Sequence, residues 1–200
     1  MPVEYPKETP SQTAGPFVHI GTMPTVAGFR GLEPELGQAI AGPACPGQRI
    51  GVSGRVLDAT GAPVRDLLFE IWQADPNGIY NHPEDPRVRD ISQDFNGFGR
   101  VAADFDDGAI RFETVKPGPV PGRDARMQAP HLNVFLLARG INVGLSTRLY
   151  FGDEDNAGDP LLALIDPPHR RETLVMAADG TAYSFTIRLQ GARETVFLDF

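Results

Sequence analysis

Hydrophobic and polar positions alternate with a period of two in several short runs along the chain. The first two runs cover residues 52–58 and 67–74 and are separated by the turn residues Thr60-Gly61-Ala62-Pro63. The second run is apolar apart from Glu70 and Gln73 and contains the only tryptophan. Such alternation is typical of strands that bury one face, and glycine and proline interrupt strands. The pattern predicts two strands joined by a turn.

Turn signals predict two hairpins in the later part of the chain. Residues 98–105 and 109–115 flank Asp106-Asp107-Gly108, and residues 173–176 and 183–189 flank Asp179-Gly180. An Asp-Gly pair between two apolar runs is a strong hairpin signal, because glycine adopts the positive φ that tight turns require. Each pair of runs is therefore predicted to form adjacent antiparallel strands.

Two more apolar runs, at residues 130–139 and 145–151, predict strands, and residues 194–200 are predicted to form a final apolar strand or tail. Short strands separated by turns every eight to twelve residues or so are typical of sandwiches and barrels. We predict an all-β, single-domain β-sandwich of about seven or eight short strands. Asp159 as N-cap and Pro160 at the first helical position predict one short helix over residues 161–165.

The first 48 residues lack this periodicity. Prolines exclude a regular helix from residues 8–17, while Phe17 and Ile20 are too apolar for a free tail. We expect an extended N-terminal arm that lies across a surface, with one helical turn at residues 32–40. The predicted organisation is an N-terminal arm and irregular segment at residues 1–48 and a β-sandwich domain at residues 49–200.

The composition argues against several classes of partner. The net charge is −8, so the chain has no basic stripe to bind nucleic acid. No apolar run approaches the roughly 18 residues of a membrane-spanning helix. The first residues do not resemble a signal peptide, and a single cysteine, Cys45, excludes an internal disulfide. These features predict a cytoplasmic protein that binds neither nucleic acid nor membranes.

Residues that could carry chemistry are few. The four histidines do not have the spacing of a zinc motif; they are His19, His82, His131 and His169. Tyr80 and His82 follow the exit of a core strand and are either metal ligands or ordinary loop residues. His131 and Asn133 are two residues apart in a predicted strand, so their side chains are expected to point to the same face.

Several segments resemble the intradiol ring-cleavage dioxygenases, and the resemblance covers nearly the whole chain. The similar segments are GRV (54–56), FEIWQAD (69–75), NGIY (77–80), TVKPGP (114–119), PHLN (130–133) and TRLYF (147–151). Some members of this family are built from alpha and beta chains. ETPSQTAGP (8–16), RRETL (170–174) and ETVFLDF (194–200) are similar to the alpha chains of those members.

The resemblance implies an enzyme in which homologous alpha and beta chains form a higher hetero-oligomer. In such enzymes a non-haem Fe(III) binds the catechol 3,4-dihydroxybenzoate. Dioxygen then opens the ring between the two hydroxyls to give 3-carboxy-cis,cis-muconate, a step of the β-ketoadipate route of aromatic catabolism. The catalytic chains hold iron with two tyrosines and two histidines, since phenolate oxygen stabilises the ferric state.

Carried onto this chain, the ligand set is incomplete. Tyr80 and His131 stand at the positions of the first tyrosine and the first histidine, whereas Val120 and Asn133 replace the other two ligands. Gln128 stands where an arginine is expected, so a cation near the substrate is expected to be missing too. We therefore expect a non-catalytic alpha chain that binds no metal alone, with Fe(III) held by the partner beta chain.

The resemblance also implies that the N-terminal arm reaches the pocket of the beta chain. Thr13, Gly15 and Pro16 are expected to wall that pocket, because glycine permits close backbone approach and proline stiffens the chain. Arg139, at the end of its strand, either binds the substrate carboxylate or makes a surface ion pair.

Two alternative functions remain open at this point. The first is a self-sufficient ferric dioxygenase with Tyr80, His82 and His131 as an altered ligand set. The second is a transthyretin-like binding module that keeps the β-sandwich without the chemistry. Iron content of the isolated chain tests the first alternative, and co-purification with a catalytic chain tests the second.

Overall fold

The structure, a computed structural model, describes residues 12–15, 17–31, 35–122 and 125–199. Its strands are β1 (Arg49–Leu57), β2 (Leu68–Trp72), β3 (Phe98–Ala102), β4 (Ala109–Val115), β5 (Val120–Pro121), β6 (Met127–Gln128), β7 (His131–Leu137), β8 (Leu145–Phe151), β9 (Val175–Asp179) and β10 (Ala182–Arg188). Its helices are α1 (Phe17–Thr22), α2 (Pro160–Leu164) and two 3-10 segments, Val88–Asp90 and Pro168–Leu174. Within the described residues, no helix is long and apolar enough to cross a membrane.

Eight of these strands form one continuous sheet in the order β3-β2-β7-β8-β9-β10-β1-β4. β8 and β9 are joined by two residue pairs, and the sheet folds over at this narrow join. Phe69 on β2 stacks on Phe185 on β10 with ring centroids 5.4 Å apart, so the two halves of the sheet face each other. The predicted all-β sandwich is confirmed, and β5 and β6 add a separate two-stranded sheet.

The core lies between these two layers and takes side chains from both. Along β1, Ile50, Val52 and Val56 are buried at alternate positions, as the period of a strand requires. Gly54 occupies the remaining inward position, where a Cβ would lie 2.6 Å from the ring of Phe185. The missing side chain therefore makes room for an aromatic ring at the centre of the sandwich, where burial of apolar surface stabilises the fold.

The predicted hairpin at residues 98–115 is wrong, although its turn forms. Asp104 N–H donates to Ala109 O at 2.9 Å, and Gly108 N–H donates to Asp104 O at 2.8 Å. Beyond the turn, β3 pairs with β2 and β4 pairs with β1, so the two strands belong to opposite layers. Because each strand has to point its apolar face into the core, the turn leads from one layer to the other.

The other two local predictions are confirmed. β9 and β10 pair as an antiparallel hairpin around Asp179-Gly180. Asp159 caps α2 through Oδ1, which accepts from the N–H groups of Leu161 and Leu162, both at 2.9 Å. Both elements depend on a few neighbouring residues, which is why sequence signals suffice for them.

The N-terminal arm contains a helix that the sequence does not predict. α1 begins at Phe17, directly after Pro16, and the contacts that hold it come from distant residues. The ring of His19 packs against Phe105 with centroids 5.8 Å apart, and Arg100 Nη1 donates to Thr22 O at 3.1 Å. The helical turn expected at residues 32–40 is absent from its described part, which contains turns and bends.

Candidate functional site

The candidate site begins at the turn that follows β2. The buried carboxylate of Asp75 organises this turn, and its Oδ1 accepts from Asn77 N–H at 2.8 Å. Gly78 has a φ of +74°, and a Cβ at this residue would lie 2.0 Å from Pro119 O. The left-handed backbone and the packed carbonyl both exclude a side chain here. The turn therefore holds Tyr80 beside the loop that leads into β5.

Tyr80 meets His131 and Asn133 on one face of β7. Tyr80 Oη lies 3.3 Å from His131 Nε2 and accepts from Asn133 Nδ2 at 3.1 Å. The ring of Trp72 stacks on Tyr80, with centroids 5.9 Å apart and 6° between the planes. The expectation that His131 and Asn133 share a face is confirmed, and three of the four ligand positions lie in contact.

Val120, the fourth position, is buried in β5 and pairs with Gln128 of β6. Its side chain offers no donor atom to a metal. Gln128 Oε1 accepts a hydrogen bond from Arg148 Nη1 at 2.6 Å. The short β5–β6 pair thus connects position 120 to the polar cluster around Tyr80.

Arg148 is the site residue that sequence reasoning misses. β8 places it directly opposite Asn133, and Arg148 Nε donates to Asn133 Oδ1 at 2.9 Å. Position 128 lacks the arginine that the resemblance implies, but Arg148 places its guanidinium next to Gln128. Alternation along β8 puts Arg148 and Tyr150 on one face. The register between β7 and β8, which no local signal reveals, brings that face to Asn133.

Hydrogen bonds and burial set the protonation of His131 and Tyr80. His131 Nδ1 lies 2.7 Å from Ala129 O and carries the proton, because a carbonyl oxygen can only accept. Burial, followed by the charge of Arg148, lowers the pKa of His131 to about 4. The neutral ring then offers its Nε2 lone pair to the hydroxyl of Tyr80. Burial also raises the pKa of Tyr80, against smaller opposing effects of Asn133 and Arg148, so the phenol is neutral at pH 7.

A buried carboxylate closes this network at its other end. Tyr150 Oη donates to Asp159 Oδ1 at 3.1 Å and accepts from Arg148 Nη1 at 3.4 Å. Asp159 Oδ2 accepts from Ala129 N–H at 2.9 Å. Hydrogen bonds therefore run without interruption from Arg148 through Tyr150 to Asp159, and the single positive and single negative charge balance.

These residues do not fit a ferric ion. Fe(III) requires anionic oxygen and free imidazole lone pairs, whereas the cluster presents a neutral phenol, an engaged imidazole, an amide and a valine. The positive charge of Arg148 opposes a further cation. Among the residues that the structure describes, no group of three or more His, Cys, Asp or Glu side chains could hold a metal ion.

His82 does not join the cluster. Its side chain is exposed, and its Nδ1 accepts from Glu84 N–H at 3.2 Å. The altered ligand set of Tyr80, His82 and His131 is therefore not assembled in this structure.

Two of the predicted pocket-wall residues, Thr13 and Arg139, lie near the opposite end of β7 from His131. Thr13 Oγ1 accepts from Gly140 N–H at 2.7 Å, which fixes the arm beside Arg139. Arg139 forms an ion pair with Asp66 at 2.9 Å, and 68% of its side chain is exposed. The surface ion pair, one of the two possibilities for Arg139, is thus present in the chain.

Gly15 and Pro16 are the two remaining residues predicted to wall the pocket. Gly15 faces open space within this chain, because no atom lies within 4 Å of the position that a Cβ would take. Pro16 lies outside the described residues. Among the described residues that Gly15 could contact, apart from its chain neighbours, none therefore restricts the size of residue 15.

Comparison with known proteins defines the class of this chain. The dioxygenase family model, Dioxygenase_C, matches residues 35–191, which is most of the sequence. The chain belongs to the intradiol dioxygenase family, whose members are iron-dependent.

Relatives with separately named chains are similar to it. The chain is 48% identical over 206 residues to the protocatechuate 3,4-dioxygenase alpha chain of Pseudomonas putida, with 100% of each covered. It is 41% identical over 119 residues to the protocatechuate 3,4-dioxygenase beta chain of Burkholderia cepacia, covering 58% of this chain and 48% of that one. Alpha and beta relatives thus share ancestry with this chain.

A solved structure has the same fold. It is the dioxygenase domain of a dioxygenase carbohydrate-binding protein fusion from Streptomyces sp. SirexAA-E. The TM-score is 0.58 at 25% identity, and the match covers 92% of this chain and 100% of that one.

Proposed function

We propose that this chain is the non-catalytic alpha chain of a protocatechuate 3,4-dioxygenase. Similarity over the full length of a named alpha chain supports the assignment. The observation that carries the non-catalytic role is the cluster at Tyr80, where Val120 and Asn133 leave too few metal donors and Arg148 adds a positive charge.

The proposed enzyme needs a second chain to react. A homologous beta chain holds the Fe(III), and alpha–beta protomers assemble into a higher hetero-oligomer. The enzyme cleaves 3,4-dihydroxybenzoate between its hydroxyls, and both atoms of O2 enter the product, 3-carboxy-cis,cis-muconate. A cytoplasmic location remains a prediction that rests on the single Cys45 and the composition.

Co-expression tests whether the beta chain holds the iron and this chain is non-catalytic. The chain is produced alone and together with a protocatechuate 3,4-dioxygenase beta chain, and each preparation is assayed for iron and for turnover of 3,4-dihydroxybenzoate. We expect the chain alone to be colourless, iron-free and inactive, and the complex to contain iron and be active. One iron per chain in the isolated protein would contradict the proposal.

We further propose that the arm and the Arg139 turn form the part of this chain that reaches the substrate. The hydrogen bond between Thr13 and Gly140 positions the arm, and Gly15 leaves its backbone open to a neighbour. Phe17, at the start of α1, is 78% exposed, which suits a segment that a second chain covers.

A substitution at Gly15 tests whether the N-terminal arm lines the substrate pocket or only holds the two chains together. Gly15→Val meets no described residue beyond its chain neighbours, so we assign its effect to the partner or the substrate. We expect the complex to show a raised KM for 3,4-dihydroxybenzoate and unchanged iron content. Gly158→Val is the matched control, since Gly158 also faces open space but lies in the acidic loop before α2. An unchanged KM in the Gly15 variant would mean that the arm only holds the two chains together and does not line the substrate pocket.

A further inference from the structure

Arg148 occupies an unusual position for a charged residue. Its guanidinium is partly buried and is surrounded by neutral oxygen atoms, namely Gln128 Oε1, Asn133 Oδ1 and Tyr150 Oη. Among the described residues no carboxylate lies within ion-pair distance of it, and Asp159 is reached only through Tyr150. A cation held by neutral carbonyl and hydroxyl oxygens is coordinated much as a metal ion is.

The guanidinium and the carbonyl oxygen of Trp72, which accepts from Asn133 Nδ2 at 3.2 Å, together set how Asn133 points. A guanidinium can only donate, so Asn133 has to turn its Oδ1 towards Arg148. This leaves the amide Nδ2 for Tyr80 Oη, which it meets at 3.1 Å. The phenol oxygen therefore faces an N–H donor, and its own hydrogen points to His131 Nε2.

The result is a chain of hydrogen bonds that runs in one direction from Arg148 to Ala129 O. Arg148 donates to Asn133, Asn133 donates to Tyr80, and Tyr80 donates to His131. His131 in turn donates from Nδ1 to Ala129 O. The Nε2 lone pair of His131 is engaged, and Tyr80 Oη already accepts one hydrogen bond, so both side chains use hydrogen-bonding capacity that a metal ion would need.

We infer that Arg148 replaces the metal cation of this site and keeps metal out of it. The inference goes beyond the missing ligands at Val120 and Asn133, because it requires that restoring those ligands is not sufficient. A tyrosine at position 120 and a histidine at position 133 would still meet the charge and the N–H donors of Arg148. Replacing Arg148 by a neutral residue is the change that opens the site.

The test compares three variants of the full-length chain. Val120→Tyr with Asn133→His restores donor atoms and keeps Arg148, the triple variant adds Arg148→Gln, and Arg148→Gln alone is the control. Each is titrated with iron, and bound metal is measured by mass spectrometry and by the visible absorption of tyrosinate bound to Fe(III). We expect the triple variant to bind iron at least about tenfold more tightly than the double variant.

A fourth variant tests whether the positive charge at position 148 or the planar shape of the guanidinium excludes the metal. Val120→Tyr with Asn133→His and Arg148→Lys keeps a positive charge without the planar fork, and we expect it to exclude iron as the double variant does. Equal affinity of the double and triple variants would overturn the inference. So would absence of iron from both when circular dichroism shows them folded, because Arg148 would then not be what excludes the metal.

A second measurement needs no engineered metal site. Asn133→Asp places a carboxylate against Arg148, and the positive charge of Arg148 should compensate the new negative charge. We expect Asn133→Asp to lower the melting temperature much less in the native background than in the Arg148→Gln background. Equal losses in both backgrounds would refute a cationic site. The co-expression assay decides the role of the beta chain separately, since its outcome does not depend on these comparisons.

Discussion

Protonation of His131 should weaken the fold as the pH falls. The imidazole is 1% exposed, its Nδ1–H is bound to Ala129 O, and burial together with Arg148 lowers its pKa to about 4. In the unfolded chain the same group has an ordinary pKa of about 6.5. Between these two values the unfolded state binds the proton and the folded state does not. Stability is therefore present above the unfolded pKa and is lost as the pH falls towards the folded one.

The size of the effect follows from the difference between the two pKa values. A difference of about 2.5 units corresponds to about 3 kcal/mol, since each unit is worth about 1.4 kcal/mol. Urea unfolding of the chain between about pH 7.5 and pH 4 should show this loss on top of the contributions of other groups. His131→Gln removes the titrating ring, so its stability should fall by about 3 kcal/mol less over the same range.

Exposed histidines provide the control for this measurement. His169 is exposed, and His169→Gln is the control that removes a histidine outside the buried cluster. If His131→Gln and the natural chain lose stability in parallel, His131 does not reside in the fold as a neutral ring. The directed hydrogen bond from Tyr80 to His131 would then be wrong as well.

Three further substitutions test the packing around the site. Phe69→Ala removes a fully buried ring that stacks on Phe185 and should lower the free energy of unfolding by about 3–5 kcal/mol, measured by urea unfolding, with Phe69→Leu losing less. Gly118→Ala places a Cβ 2.3 Å from Pro76 O and should cost on the order of 2 kcal/mol in the same assay; a loss below about 0.5 kcal/mol would contradict this contact. Asp159→Ala removes the α2 cap and the acceptor of Ala129 N–H, and a loss of about 2 kcal/mol or more is expected, while Asp159→Asn should recover part of it.

Part of the candidate site could be predicted from local sequence. The turn that carries Tyr80 is signalled by Asp75, Asn77 and Gly78, and the two-residue spacing of His131 and Asn133 places them on one face. That Tyr80 lies at hydrogen-bonding distance from both residues could not be predicted, because it depends on how the turn after β2 packs on the β5 loop.

Arg148 is the site residue whose role is hardest to predict from local sequence. As one residue in an alternating strand, it is indistinguishable in sequence from any other polar position on β8. Its role arises because β8 pairs with β7 in the register that sets it opposite Asn133. A shift of one residue would turn it to the other face, and no single stretch of sequence contains that information.

By itself, the sequence determined the elements that a few adjacent residues control: the capped α2, the β9–β10 hairpin, the alternating strands and hence the all-β class. Tertiary structure alone decided that β3 and β4 enter opposite layers, that α1 forms where His19 meets Phe105, and that a guanidinium lies beside Tyr80 and His131. Caps and turns depend on the backbone angles and hydrogen bonds of neighbouring residues. Strand pairing and burial depend on which apolar faces, distant in sequence, pack against one another. The order of the elements along the chain does not determine that packing.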